Sequence, residues 1–141
     1  MRTVVIAFVI CAVVSSCHDS GTVPEGGLTG RTDKFAYIAN EGITFVVSNN
    51  GSDAAYLSSC CSGLAFYVDR FENGSWRQFE GHGIPCLAMC PIGVVFLPTE
   101  QQYIDSLSLQ QRGVYRLRIS FRSPIGNGMD KELTTNQFIV Q

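Results

Sequence analysis

Residues 114–122 read VYRLRISFR, and this stretch decides the fold. Tyr115, Leu117, Ile119 and Phe121 alternate with Arg116, Arg118, Ser120 and Arg122. A period of two marks a strand, because successive side chains of a strand point to opposite faces. The apolar set belongs to a core and the arginines to a solvated face. A slip of one residue would bury three arginines, so the register is strongly specified. On either side, short apolar runs alternate with turn signals, at residues 35–39, 43–48, 56–57, 64–72, 75–79, 93–97, 103–109 and 137–140. No stretch carries sustained apolar residues at helical spacing between helix caps.

Fourteen glycines and five prolines in 141 residues supply the turns that many short strands need. Asn49-Asn50-Gly51 closes one run, and Asn73-Gly74 is a strong two-residue hairpin signal. Short strands at roughly 8–12-residue spacing predict an all-β fold, an immunoglobulin-like antiparallel β-sandwich of about seven strands. Residues 33–141 are its expected extent. Gly113-Val114-Tyr115 resembles the tyrosine corner of such sandwiches, in which a tyrosine hydroxyl bonds back to the backbone upstream.

The amino terminus speaks to compartment. After Met1-Arg2-Thr3, residues 4–14 are unbroken and apolar, VVIAFVICAVV. As a helix this run spans about 16 Å, roughly half a bilayer core, which suits a signal peptide and not a membrane span. Ser15-Ser16-Cys17 follows, and with Val14 it resembles the lipobox of bacterial lipoproteins. That resemblance implies removal of residues 1–16 and acylation of Cys17, with the membrane as a partner through the lipid. Residues 18–32, HDSGTVPEGGLTGRT, are rich in glycine and poor in apolar side chains, so residues 17–32 are expected to form a flexible tether. The processed chain would carry nine basic and twelve acidic side chains, a formal charge of −3. Nothing in that balance points to nucleic acid.

Four cysteines remain, Cys60, Cys61, Cys86 and Cys90. In an exported protein four thiols predict two disulfides. A Cys60–Cys61 ring would be strained, so the crosslinks are expected to join the 60/61 pair to the 86/90 pair, in either connectivity. His82, Cys86 and Cys90 recur every four residues and raise a zinc site as the rival reading. The lack of Cys-x2-Cys spacing and an oxidising compartment weigh against it, so no metal and no cofactor are expected.

Catalysis finds no footing. His82 is flanked by glycines, which predict an exposed and mobile position, and no nucleophile elbow or phosphate-binding loop occurs. Asp69, Glu72 and Asp105 are expected on solvated surface. The Asn73-Gly74 turn would set Phe71 opposite Trp76 with Tyr67 on the same face, a candidate recognition patch whose plainer alternative is a cross-strand ladder. The same register sets Arg70 opposite Arg77, a like-charge pair that hints at a longer turn. Arg116, Arg118 and Arg122 form a row that could attract anionic headgroups or polysaccharide, unless acids on a neighbouring strand balance it.

The order ITFVVSNNGS, AFYVDRFENGSWRQF, VVFLPTEQQ, GVYRLRISF and TTNQFIV is similar to bacterial immunoglobulin-like domains grouped with the BsuPI-type proteinase inhibitor, over residues 43–140. This chain departs from them in a cysteine-bearing segment before Val94 and in Thr99, where Pro-Gly is usual. The resemblance implies the sandwich fold and raises protease inhibition through a disulfide-stapled loop at residues 81–91. The residues point to a non-enzymatic binding or structural module outside the cytoplasm, and the resemblance to the lipobox implies that it is lipid-anchored in a bacterial envelope. Its expected partners are the membrane and an envelope protein or polysaccharide.

Overall fold

A computed structural model of the protein describes residues 27–61, 63–83, 86, 92–122 and 130–141. Among these residues the chain forms strands and no helix, so no helix is long and apolar enough to cross a membrane. The strands are β1 (Leu28–Thr32), β2 (Ala36–Tyr37), β3 (Gly42–Asn49), β4 (Ala55–Cys60), β5 (Gly63–Leu64) and β6 (Phe66–Glu72), followed by β7 (Ser75–His82), β8 (Ile92–Leu97), β9 (Gln102–Ser108), β10 (Gly113–Arg122), β11 (Lys131–Thr134) and β12 (Phe138–Val140). They form a small sheet, β1-β3-β9, facing a large one centred on β10. In the large sheet β11 and β12 share one flank of β10, and β6 and β4 share the other. β7 extends from β6, and β5 and β8 pair with β4.

The fold is the expected all-β, immunoglobulin-like sandwich. Tyr115, Leu117, Ile119 and Phe121 are all buried, and the alternation of residues 114–122 holds throughout. The small sheet brings Leu28, Ile43, Phe45, Val47 and Leu107 to the same core, where Phe45 meets Phe66 edge-on at 5.0 Å. The tyrosine corner is present: Tyr115 Oη donates to the Gln111 carbonyl at 2.8 Å.

Four expectations need correction. The strand segments number twelve among the described residues, not about seven, because short pieces such as β5 and β11 are spliced between the long ones. The pairing is not wholly antiparallel, since β2 runs parallel to β12. The tether does not extend to residue 32. Leu28–Thr32 is a strand paired with β3 from Leu28↔Asn49 to Thr32↔Phe45, while residues 17–26 lie outside the described ones. Its composition hides it, for Leu28 is its one large apolar residue and backbone bonding supplies the rest. Gly30 lets the strand lie close to β11, for a Cβ would come within 3.1 Å of Thr135 Cγ2 and 3.2 Å of Leu133 Cδ2 and push those side chains back by a few tenths of an ångström. Lastly, the first apolar run shrinks to β2, with Phe35 and Ile38 left exposed on either side.

Tyr37 ties β2 to the loop before it. It is 2% exposed, its hydroxyl donates to Asp33 Oδ1 at 2.7 Å, and it accepts from the Lys34 amide at 2.9 Å. Burial, helped by the Asp33 carboxylate, pushes the phenol up to about 12 from 10.0. Burial also raises Tyr115 and Tyr103. Because the folded state favours the neutral phenol, this stabilisation is fully present below pH 10 and is lost as pH rises toward 12. Urea titrations across that window should show stability falling by about 2–3 kcal/mol for the Tyr37 contribution alone. Tyr37→Phe should remove that part of the alkaline slope, and an unchanged slope would exclude Tyr37 as its source.

Candidate functional site

The hairpin β6–β7 turns on Asn73 and Gly74, whose φ values of 50° and 80° are both left-handed. Two consecutive left-handed residues make the turn whose twist matches flanking strands, and Asn-Gly is the pair best able to adopt it. The turn is two residues long, so the hint of a longer one fails. Arg70 and Arg77 do stand opposite each other. Arg70 is drawn off instead to Glu72 at 3.2 Å, to the Arg112 carbonyl at 2.8 Å and to Gln111 at 3.0 Å, with its guanidinium over the rings of Phe79 and Tyr115. Farther along, the register shifts between Val68 and Asp69, and Phe79 is the extra residue of the bulge. Phe79 packs on the core against Tyr115, with ring centroids 5.6 Å apart.

Strand parity puts Tyr67, Asp69 and Phe71 on the outer face of β6, opposite the buried Phe66 and Val68. The β10 register aligns Asp69 with Arg116 and Tyr67 with Arg118, and the β7 register aligns Phe71 with Trp76. A ladder results. Phe71 meets Trp76 edge-on at 5.2 Å, and the Arg116 guanidinium covers the Trp76 ring at 4.4 Å. Arg116 Nε then donates to Asp69 Oδ2 at 3.3 Å, and Arg118 Nε donates to the same oxygen at 2.8 Å. Arg118 lies over Tyr67 at 5.1 Å and reaches Glu132 Oε1 at 2.9 Å.

All three candidate recognition residues therefore share one face, but as members of a cross-strand ladder. Tyr67 and Trp76 are half-buried, and Phe71 is 45% exposed. Asp69 was expected on solvated surface and is 3% exposed, because the arginine stems close over it. Its Oδ1 is buried and, among the described residues, has no hydrogen-bond partner. Burial works against the Arg118 charge, but Asp69 and Glu132 outweigh it and hold the guanidinium above its ordinary value. Arg122 pairs with Asp130, which lowers that carboxyl. The arginine row is thus not a free cationic stripe: acids on β6, on β11 and beside β11 balance it.

Cys60 and Cys86 form a disulfide, one of the crosslinks expected between the two pairs. Cys61 is also disulfide-bonded, with its sulfur 3.6 Å from that of Cys60. Cys90 lies outside the described residues, as do the lipidation site Cys17 and most of the loop at residues 81–91. His82, expected from its glycines to be exposed, is half-buried. It ends β7, stacks on Phe66 at 4.6 Å and bonds Glu80 at 2.8 Å. Among the described residues no three His, Cys, Asp or Glu side chains gather as a metal site would need. A depression of about 270 Å³ is lined by Gly27, Gly51, Ser52, Asp53, Ala54, Ala55 and Phe121, away from the ladder and with a single carboxylate.

No protein-family model and no curated protein matches the chain. Among solved structures it is similar to Spo0M, a sporulation control protein from Bacillus subtilis, at 12% identity and a TM-score of 0.40. That match covers 81% of this chain, which spans about half (48%) of Spo0M. The CARDB domain of PF1109 from Pyrococcus furiosus, solved in complex with di-metal ions, gives 14% identity and a TM-score of 0.38 over 80% of this chain and 91% of that one. The human CEP192 PapD-like domain 7 gives 15% identity and a TM-score of 0.39 over 99% of this chain and 96% of its own.

Proposed function

We propose that this protein is a non-enzymatic binding or structural module of a bacterial envelope, anchored by lipid on Cys17 and engaging an envelope protein or polysaccharide through the Phe71–Trp76 end of the ladder. The observation that carries the reading is that pair. Phe71 is exposed, and Trp76 on β7 is backed by Arg116, which reaches it from β10 across β6. Rigid aromatics bury much area on binding at little entropic cost, which is why they dominate recognition patches. The apolar run at residues 4–14 and the small residues before Cys17 support the anchor.

The test is capture from the cell envelope with the tethered protein. Wild type should retain a partner that the F71A/W76A variant loses by about tenfold or more, on the scale of a two-residue hot spot. Equal capture by both would remove the aromatic pair from the reading. Mass spectrometry of the membrane-extracted protein should find acylated Cys17 at the amino terminus, and a soluble form beginning elsewhere would remove the anchor. Protease inhibition is the second reading. The Cys60–Cys86 bond favours it by stapling the loop that would enter a protease cleft. Absence of inhibition at micromolar concentration against a protease panel would end it.

A further inference from the structure

Strand edges left open invite pairing, and proteins usually blunt them with charge. The open edges here are treated unequally. β7 carries Arg77, Glu80 and His82, β9 carries Asp105, and β1 carries Arg31. β8, residues 92–97 with sequence IGVVFL, has no charged or polar side chain. Among the described residues it pairs with β4 alone. Val94 is 57% exposed and Phe96 is 56% exposed. Both lie on the face opposite Val95 and Leu97, which pack into the core. Tyr56 of β4 stands opposite Phe96 and meets its ring at 5.4 Å, so three apolar side chains share one strip beside the edge.

We propose that β8 is a self-association edge, pairing antiparallel with β8 of a second copy of this chain across a two-fold axis at Val95. The charge pattern selects this occupant. A strand that fits here must itself be open, apolar and uncharged, and among the described strands of four or more residues with an open edge β8 alone meets that requirement, β2 and β5 being two residues long. Two-fold pairing centred on Val95 sets Val94 of one protomer across from Phe96 of its partner, and the reverse. Aromatic and β-branched residues are favourable cross-strand neighbours. The large sheet then runs unbroken through both copies. One strand edge with three apolar side chains per copy makes an interface at the small end of the stable range, so association is weak.

Sedimentation equilibrium on the purified protein from about 5 to 500 µM tests this. The average mass should rise from one copy to two, with a dissociation constant on the order of 10–100 µM. Amide exchange at Val94, Val95 and Phe96 should slow over the same range. V94K and F96K, both on exposed positions, should each weaken association by about tenfold or more. I104K, at an exposed apolar position on the other sheet, should leave it unchanged. Far-UV circular dichroism would check that each variant folds. A single copy at the highest concentration would overturn the proposal, as would a dimer that V94K and F96K leave intact.

Discussion

In a chain that also carries Cys61→Ser, so that the disulfide of Cys61 does not constrain the neighbouring residue, replacing both Cys60 and Cys86 by serine is expected to lower the stability of the fold by about 3.5 kcal/mol. The bond joins residues 26 apart, and chain-entropy loss for a loop of that length gives this value. The closed loop holds β5 and the whole β6–β7 hairpin, the elements that carry Phe71 and Trp76. The site leaves no easy compensation. Cys60 is 6% exposed, and Gly83 crosses it so closely that a Cβ there would lie 3.1 Å from Cys60 Cβ, at a φ of +63°. The serine at position 60 would be buried in a place built for sulfur. Thermal unfolding should drop by roughly 10–15 °C, from the usual entropy of unfolding for a domain this size. Calorimetry on the oxidised Cys61→Ser protein with and without the two further serines measures it. A shift below about 1 kcal/mol would mean that the crosslink adds nothing to the native state.

Asp69→Ala is expected to cost about 3 kcal/mol. The carboxylate is 3% exposed and is shared by Arg116 and Arg118, whose side chains are only about a quarter exposed. Removing the anion leaves two cations facing each other with their common partner gone, which is the expensive way to break a buried ion pair. Asp69→Asn keeps the shape but not the charge and should cost less, about 2 kcal/mol. Arg118→Ala should cost still less, because Arg116 remains to hold the carboxylate. Urea denaturation gives each value, and an Asp69/Arg118 double-mutant cycle isolates their coupling. If Asp69→Ala and Asp69→Asn were both neutral, the network would be surface decoration, and the rigid backing claimed for Trp76 would fall with it.

Much of this molecule is legible locally. Alternation along residues 114–122 assigned each side chain of β10 to its face, because strand parity is a property of the backbone and needs no partner. The Asn73-Gly74 turn fixed the pairing of Phe71 with Trp76 for the same reason: a two-residue loop dictates the register that follows it. β1 and β11 escaped the reading. Each offers one large buried apolar residue, Leu28 or Leu133, and each is held by a ladder to a strand elsewhere in the chain. Composition within five residues cannot display a hydrogen-bonding partner.

The candidate site divides along the same line. Its aromatic members were visible in the sequence, as was the arginine row; the acid that joins them was assigned to solvent. Asp69 sits on the outer face, as parity requires, yet it is buried, because Arg116 and Arg118 arrive from a strand 47 and 49 residues away and lay their stems across it. Local residue pattern set which side chains of β10 face inward, where the β6–β7 hairpin turns and which sulfurs were available to join. Which strands became neighbours was decided by long-range packing, as was the reach of Cys60 to Cys86, the pairing of Arg116, Arg118 and Arg122 with acids, and the open apolar edge that β8 keeps among the described residues. The physical reason is that facing is set by backbone geometry over two residues, whereas burial, charge balance and edge exposure depend on what distant segments bring alongside.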